Sequence, residues 1–541
     1  ATFDLLLPRV ERGDMPHLAA LLRDGAWGTL QSTTPPFSAQ AWASMATGQN
    51  QARHGVVDFW QRGPDLSPSA RRSFVTARQI QSETLWQVAG RHGRRVGIVN
   101  VPVTYPPGEV NGYLVSGFLT PPGRDDYAYP PELRNEILGL VPDYEPDPFD
   151  PVGAGRKQAL ELATWMEKHE RVARHLVAER PADLFWSVVQ ALDHLQHIFW
   201  DAAAAGPGGG EFADLVERCY RLADDVIGHR AGLWDGAANL FVVSDHGFGP
   251  AEKWFHVNHF LQEAGLLALG GRKRSGGAAA GGLARLGLTP QRLRTLVRRA
   301  DVLGLRRRMG RLARVTLGRR IDQSLTPAVD WSRTRAISGS PATEGIFVNL
   351  KGREPEGIVE PGEEYEALRE HLIRALMALR DPETGGAVIH AVYRREELYD
   401  GPFLDQLPDL VFDLGELPYL AGDSLTAGRV IEPLPRDYLQ GRHRPGGIFI
   451  AAGPDIRAAG RFEGARIVDV APTVLYALGL PIPEDVDGQP LLDIFSDDYR
   501  AAQPVEYASP HHPGDGGDQP VYDEDDLDEL ERRLQGLGYM S

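Results

Sequence analysis

The stretch that most constrains the fold of this chain is residues 238–249, where an apolar segment ends in an Asp-His pair followed by glycines. Residues 238–243 predict a short buried strand. Asp245 and His246 stand where this strand gives way to a turn, which is where open α/β sheets bind ligands. Carboxylate oxygen and neutral imidazole nitrogen are ligands of catalytic zinc. An isolated Asp-His pair more often caps a turn, so the rest of the chain has to decide between these roles.

Strands and helices alternate along most of the chain. This alternation predicts an α/β fold with a doubly wound, mostly parallel central sheet, flanked by helices and carrying cap-like insertions. Apolar runs predict strands at 95–102, 183–190, 345–350 and 446–452, and helical periodicity predicts helices at 1–22 (broken near Gly13), 84–91, 159–179, 214–232, 365–379 and 468–478.

Changes in composition divide the chain into parts. Residues 1–265 and 335–495 carry the alternation and predict the two parts of one α/β core. A Pro-rich stretch at about 102–150 predicts an insertion made of loops. Residues 266–334 are Gly-rich and then Arg-rich, which predicts a basic helical insertion. For the role of this insertion, a solvated cap is favoured over a surface that binds an anionic substrate or lipid. Residues 496–541 predict a tail that ends in an acidic helix.

Composition excludes several classes of protein. The net charge of −17 argues against a general binder of nucleic-acid duplexes. The single cysteine, Cys219, excludes an internal disulfide framework and a Cys-based zinc ribbon. No apolar run reaches the length of a transmembrane segment, and no signal peptide is visible, so we expect a cytoplasmic location.

Metal-binding residue types recur at the predicted strand ends. Asp193 and His197 follow the strand at 183–190, Asp245 and His246 follow the strand at 238–243, and His443 precedes the strand at 446–452. We expect these residues to converge at one edge of the sheet. Three histidines and two aspartates suffice for two divalent ions with a coordination position left open. Two such ions would bind the attacking and leaving oxygens of a phosphoryl transfer.

Ser38 is the candidate nucleophile. It stands at the predicted start of a helix over 39–47 that Gly48 ends. A metal ion can activate a hydroxyl at this position, and the free N–H groups of the helix would face phosphoryl oxygens. An ordinary N-cap is the simpler role, and the two roles are compatible. Thr33, Thr34 and Ser44 are weaker candidates, since the threonines precede prolines and Ser44 lies inside the helix.

Several motifs together resemble one known group of proteins. The chain is similar to the alkaline phosphatase superfamily, in its type I phosphodiesterase/nucleotide pyrophosphatase-like branch, and to bacterial members described as predicted phosphohydrolases or phosphomutases. The resemblance covers nearly all of the chain except the basic insertion. It lies in residues 25–28, 47–48, 54–55, 193–197 (DHLQH), 244–248 (SDHGF), 443–454, 469–475 (DVAPTVL), 478–481 and 533–539 (RLQGLGY).

The resemblance implies a two-metal phosphohydrolase that acts on a small phosphorylated substrate. One divalent ion would be held by Asp193, His197 and His443. The second would be held by Asp245, His246 and the oxygen of Ser38. It further implies that Ser38 attacks in line and that water activated by metal hydrolyses the resulting phosphoserine. The usual metal is zinc, and manganese occurs as well.

Two departures from the family pattern affect this expectation. The family opens with a strand that ends in a Gly-x-Asp-Gly motif, whose aspartate binds the second metal. Residues 1–6 resemble the segment after that motif, so we expect the strand and its aspartate to be missing and the second ion to bind poorly; Asp4 is no substitute. Phe59 stands where nucleotide pyrophosphatases carry a phosphate-contacting asparagine, which weighs against nucleotide-type diesterase activity.

Three other functions compete with this one. A sulfatase would need a proline and an arginine close behind its nucleophile, and residues 38–42 contain neither. A phosphomutase would use the same metals and serine, so the sequence leaves it open. A catalytically impaired binding protein is the third alternative, because of the missing aspartate.

Overall fold

The computed structural model describes residues 1–61, 73–148, 155–233, 236–270, 328–435, 439–511 and 521–539. The helices of these residues are α1 Phe3–Glu11, α2 Pro16–Asp24, α3 Ser38–Thr47, α4 Gln51–His54, α5 Leu85–Arg91, α6 Leu133–Leu140, α7 Arg156–Glu179, α8 Ala191–Ala205, α9 Ala213–Leu233, α10 Val257–Glu263, α11 Glu363–Ala378, α12 Arg395–Leu398, α13 Val470–Ala477, α14 Asp497–Ala502 and α15 Glu524–Gly536. The strands are β1 Ala26–Gln31, β2 Val96–Val101, β3 Gly112–Ser116, β4 Ala128–Tyr129, β5 Leu184–Ser187, β6 Leu240–Val243, β7 Gly247–Pro250, β8 Lys253–His256, β9 Ala336–Ile337, β10 Gly345–Val348, β11 Ala391–Arg394, β12 Leu410–Asp413, β13 Tyr419–Gly422, β14 Ile431–Pro433, β15 Gly441–Arg444, β16 Gly446–Ala452, β17 Gly460–Arg461, β18 Ala465–Arg466, β19 Ile482–Pro483 and β20 Tyr507–Ala508.

Two sheets share the largest hydrophobic core. In the order β4-β3-β2-β5, strand β2 runs parallel to β3 and to β5. In the other sheet β16 lies between β1 and β6 and runs antiparallel to both, while β17 and β18 pair in parallel with β1. Helices α3, α5 and α13 pack on this core. The predicted α/β class is confirmed. The sheet that contains β1, β16 and β6 departs from parallel order at β16.

Helix α3 is buried on every side. All ten of its residues, from Ser38 to Thr47, are buried. Its many alanines allow this close packing, because a helix that lies wholly inside a core needs small or apolar residues all round. Gly48 ends the helix in the left-handed conformation, at a φ of 72°. The interior position fixes the start of α3, and therefore Ser38, relative to the sheets.

A second core lies beside the first. The sheet β11-β12-β10-β9 packs against α11, and the three-stranded sheet β13-β8-β14 shares its apolar cluster. Strand β7 directly follows the Asp-His stretch and pairs with β15, and β8 follows β7 after a short turn. The chain therefore connects this core to the Asp-His stretch.

The segment at 102–150 contains more regular structure than predicted. It includes β3, which pairs with β2 along its length, as well as β4 and α6. Its prolines lie in the connections, whereas residues 112–116 contain no proline and can therefore pair in the sheet. Only loops were expected there, and the structure corrects this prediction.

The basic insertion predicted at 266–334 lies mostly outside the described residues, which resume at 328. Its two flanks meet, since Leu269 and Val329 form an antiparallel bridge. The acidic helix predicted in the tail is α15, which Asp523 caps. None of the helices in the described ranges combines the length and apolar composition that a membrane span requires.

Candidate metal centre

The predicted ligands come from three places in the fold. Asp193 is the third residue of α8, and His197 lies one helical turn later on the same face. Asp245 and His246 follow β6 directly, before the chain enters β7. His443 lies on β15, where it pairs opposite Phe248 of β7. The short β7–β15 pair therefore brings the Asp-His stretch next to the last histidine.

The first predicted ligand set forms a close group. Nε2 of His197 lies 3.0 Å from Nε2 of His443 and 3.6 Å from Oδ2 of Asp193. Nε2 of His443 lies 3.3 Å from Oδ1 of Asp193. Both histidines are buried and Asp193 is partly buried. The three side chains are therefore close enough to bind one ion together.

The second predicted set adjoins the first. Nε2 of His246 lies 3.1 Å from Oδ2 of Asp245 and 3.2 Å from Oγ of Ser38. It also lies 3.7 Å from Oδ1 of Asp193, and ligand atoms of Asp193, His246 and His443 all fall within 4.8 Å of one another. The structure therefore brings all six predicted site residues together in one continuous cluster.

Backbone carbonyls orient the three imidazoles. Nδ1 of His197 faces the carbonyl oxygen of Gly441 at 3.2 Å, and Nδ1 of His246 faces that of Gly247 at 3.1 Å. Nδ1 of His443 faces the carbonyl oxygen of Pro36 at 3.0 Å. A carbonyl can only accept, so each Nδ1 carries the proton and each Nε2 directs a lone pair into the cluster.

Helix α3 begins one residue earlier than an N-cap role for Ser38 requires. The cap is Phe37, whose backbone is extended, and Ser38 is the first helical residue. Oγ of Ser38 is therefore directed at His246 and not used as a cap. Ser44 instead contacts Nε2 of His54 at 2.9 Å, and Thr33 donates to the carbonyl oxygen of Pro35. Two of the three alternative hydroxyls, those of Thr33 and Ser44, are thus bonded elsewhere.

A family model described as type I phosphodiesterase / nucleotide pyrophosphatase matches residues 1–424. The chain belongs to this family. It is therefore a hydrolase that acts on phosphate esters, of a metal-dependent family, and the resemblance seen in its motifs is confirmed. No curated protein sequence matches the chain.

Solved structures show similar chains. An inactive variant of murine ectonucleotide pyrophosphatase/phosphodiesterase 5, in complex with AMP, is 14% identical over 89% of this chain and 94% of its own, with a TM-score of 0.45. Phosphonoacetate hydrolase from Sinorhizobium meliloti 1021, in complex with phosphonoacetate, is 15% identical over 88% of this chain and 92% of its own, with a TM-score of 0.48.

The donor set of this family member fits a divalent cation. Burial lowers the pKa of His197 and of His443, so both imidazoles are neutral at neutral pH, as ligation requires. Two lone pairs that face each other at 3.0 Å repel, and a cation between them removes that repulsion. Oδ2 of Asp245 is buried with no hydrogen-bond donor aligned on it among the described residues.

Sequence reasoning did not single out Tyr539. Its hydroxyl lies 3.3 Å from Oγ of Ser38 and 3.2 Å from Nε2 of His443, and its side chain is buried. The signal was the closing RLQGLGY motif, which the resemblance included without giving it a role. Tyr539 also lines a small pocket beside the candidate ligands, together with Glu344 and Arg442.

The start of the described chain also lies at the site. Oγ of Ser244 donates to the carbonyl oxygen of Ala1 at 3.2 Å. Asp4 is exposed on α1, which agrees with its exclusion as a ligand.

Proposed function

We propose that this chain hydrolyses phosphate esters through a covalent phosphoserine at Ser38, with two divalent ions held by the buried cluster. Asp193, His197 and His443 would hold one ion, and Asp245, His246 and Ser38 would hold the other. The observation that carries the proposal is the contact of Ser38 Oγ with His246 Nε2 at 3.2 Å, within a group of imidazoles whose Nε2 lone pairs converge. The ions, zinc or manganese, would neutralise phosphoryl charge and lower the pKa of the attacking hydroxyl.

The chain's own residues would perform the bond changes. Oγ of Ser38 loses its proton and attacks phosphorus, the bond to the leaving oxygen breaks, and that oxygen takes up a proton and leaves as the alcohol, so that a phosphoserine forms. The first N–H groups of α3 have no partners within the helix and would face the phosphoryl oxygens. Water then loses a proton and attacks the phosphoserine, the bond between phosphorus and Oγ breaks, and Oγ regains a proton. The product is inorganic phosphate from a monoester and a phosphate monoester from a diester. Burial of α3 keeps the nucleophile in place through both steps.

The experiment compares Ser38→Ala with Ser44→Ala in the metal-loaded protein. Ser44 lies in the same buried helix and contacts His54, away from the cluster. We expect Ser38→Ala to lower hydrolysis of p-nitrophenyl phosphate and of bis(p-nitrophenyl) phosphate by at least about a thousandfold, since the nucleophile is lost. The Ser44→Ala control should keep most of the activity. Mass spectrometry of acid-quenched wild type should find one phosphoryl group on the peptide that contains Ser38.

The substrate panel adds AMP and phosphonoacetate, the ligands bound in the two solved structures. Full activity of Ser38→Ala would contradict the nucleophile assignment. Failure of the wild type to bind zinc or manganese and to cleave any panel member would leave the binding-protein alternative. Transfer of the phosphoryl group to another hydroxyl of the substrate, without release of phosphate, would identify a phosphomutase.

A further inference from the structure

The hydroxyl of Tyr539 lies next to the candidate ligand cluster. It is 3.2 Å from Nε2 of His443, 3.4 Å from Nε2 of His197 and 3.4 Å from Oδ2 of Asp193. These three atoms belong to the set proposed for the first ion. One oxygen that reaches all three from the far end of the chain is more than a packing contact.

The four groups are spaced as the ligands of one small ion would be. Nε2 of His197 lies 3.0 Å from Nε2 of His443 and 3.6 Å from Oδ2 of Asp193, and the Tyr539 hydroxyl lies 3.2 to 3.4 Å from these three atoms. The other carboxylate oxygen of Asp193, Oδ1, lies 3.3 Å from Nε2 of His443. Four-coordinate zinc with bonds of about 2.0–2.1 Å requires ligand atoms about 3.3–3.4 Å apart. The phenol oxygen therefore stands at the fourth vertex of a zinc-sized site, the position that a catalytic centre leaves open for water or substrate.

The surroundings of Tyr539 hold the ring there. Its ring packs against Phe59 with centroids 4.7 Å apart, and Phe37 approaches at 6.1 Å. Residues 537–539 follow α15 directly, and the backbone N–H of Tyr539 donates to the carbonyl oxygen of Leu534. α15 is anchored by Arg533, which is buried and forms an ion pair with Asp147 at 3.5 Å. These contacts of the tail thus fix the position of the Tyr539 hydroxyl beside the candidate ligands.

We propose that the Tyr539 hydroxyl is the fourth ligand of the ion held by Asp193, His197 and His443 in the resting protein, so that a phosphate ester must displace it. This inference rests on the metal centre of the proposed function. A site with four protein ligands is closed, and a closed site has no position for substrate. The tail then acts as a removable cap. The apparent substrate affinity equals the affinity of the uncapped site multiplied by the fraction of molecules in which the cap is displaced.

The test uses the full chain, freed of metal by a chelator, as wild type, Tyr539→Phe and Tyr522→Phe. Phenylalanine at 539 keeps the ring packed on Phe59 and removes only the oxygen. Tyr522 is the matched control, because it is also a buried tyrosine of the tail, but its hydroxyl donates to the carbonyl oxygen of Leu119 and contacts none of the four donors. Zinc affinity is measured by competition with a chromogenic chelator. Binding of inorganic phosphate to the zinc-loaded proteins is measured by calorimetry.

For Tyr539→Phe we expect zinc to bind at least about tenfold more weakly, as a lost ligand should cost no less than a lost outer-shell partner. Inorganic phosphate should bind about tenfold more tightly, since it no longer displaces the phenol. Tyr522→Phe should match the wild type in both. Unchanged zinc affinity in Tyr539→Phe would overturn the inference, and so would weaker phosphate binding, which would make Tyr539 a substrate contact. Wild type that binds no zinc would instead overturn the metal centre itself.

Discussion

The imidazole rings of His246 and His443 are stacked, with centroids 3.4 Å apart and planes inclined by 24°. His443 lies on β15, and His246 immediately precedes β7, the strand with which β15 pairs. Their Nε2 atoms face the same small volume, although the family pattern assigns them to different ions. The stack therefore couples the two proposed metal positions, and we expect a substitution at one position to alter metal binding at the other.

Replacement of His443 tests this cluster. We expect His443→Ala to weaken zinc binding by more than about 100-fold, because loss of an outer-shell partner alone costs 10- to 100-fold. Phosphoesterase activity should fall with it. The control is His229→Ala, since His229 pairs with Glu170 on the outer helices, away from the cluster. Equal zinc affinity in the two variants, measured by chelator competition, would contradict the assignment of His443.

Removal of the Arg533 guanidinium should release the tail. Asp147 would be left buried without its ion-pair partner, which costs about 3–5 kcal/mol and favours undocking of α15. We expect Arg533→Ala to speed proteolytic cleavage within 521–539 and to raise phosphate affinity as Tyr539→Phe does. Arg532→Ala is the control, because Arg532 is the neighbouring residue of α15 and pairs with Glu529 of the same helix, with both side chains about one-third exposed. If the two variants are cleaved at the same rate, the ion pair does not dock the helix.

Glu344 should give the protein a stability that falls with rising pH. Burial raises the pKa of Glu344 to about 8 from an ordinary 4.5, and Arg442 at 3.8 Å opposes the rise. Between these two values the folded state binds more protons than the unfolded state, so stability falls as pH increases, by up to about 1.4 kcal/mol per pH unit. Glu344→Gln should remove this component. Urea midpoints near pH 6 and near pH 8 measure it, and an unchanged difference in the variant would refute it.

Gly441 permits close contact between α8 and β15. A Cβ atom there would lie 2.2 Å from the carbonyl oxygen of Gln196, so Gly441→Ala must push the helix away and separate His197 from His443. We expect a loss of stability of about 1–3 kcal/mol and weaker zinc binding. Gly139→Ala is the control, since nothing lies within 4 Å of its Cβ position. Thermal midpoints and zinc titrations of the two variants make the comparison, and equal results would argue against this contact.

Much of the site was predictable because its local geometry follows from short stretches of sequence. Asp193 and His197 are four residues apart in a helix, so they share a face wherever that helix lies. An apolar strand that ends in Asp245 and His246 places both beyond its carboxyl end. The start of α3 at Ser38 was predicted to within one residue. The cap at Phe37 was missed because Phe37 makes no side-chain capping hydrogen bond, and its extended backbone cannot be read from the residue type.

Tertiary structure alone decided how these pieces meet. The antiparallel course of β16, the stack of His246 on His443 and the arrival of Tyr539 at the ligand cluster all join segments far apart in the chain. Periodicity of apolar residues determines elements one at a time, whereas these contacts depend on which surfaces bury one another. The sequence by itself identified the candidate donors and the candidate nucleophile, whereas packing of the tail through Arg533 and Asp147 decided that a tyrosine lies among them.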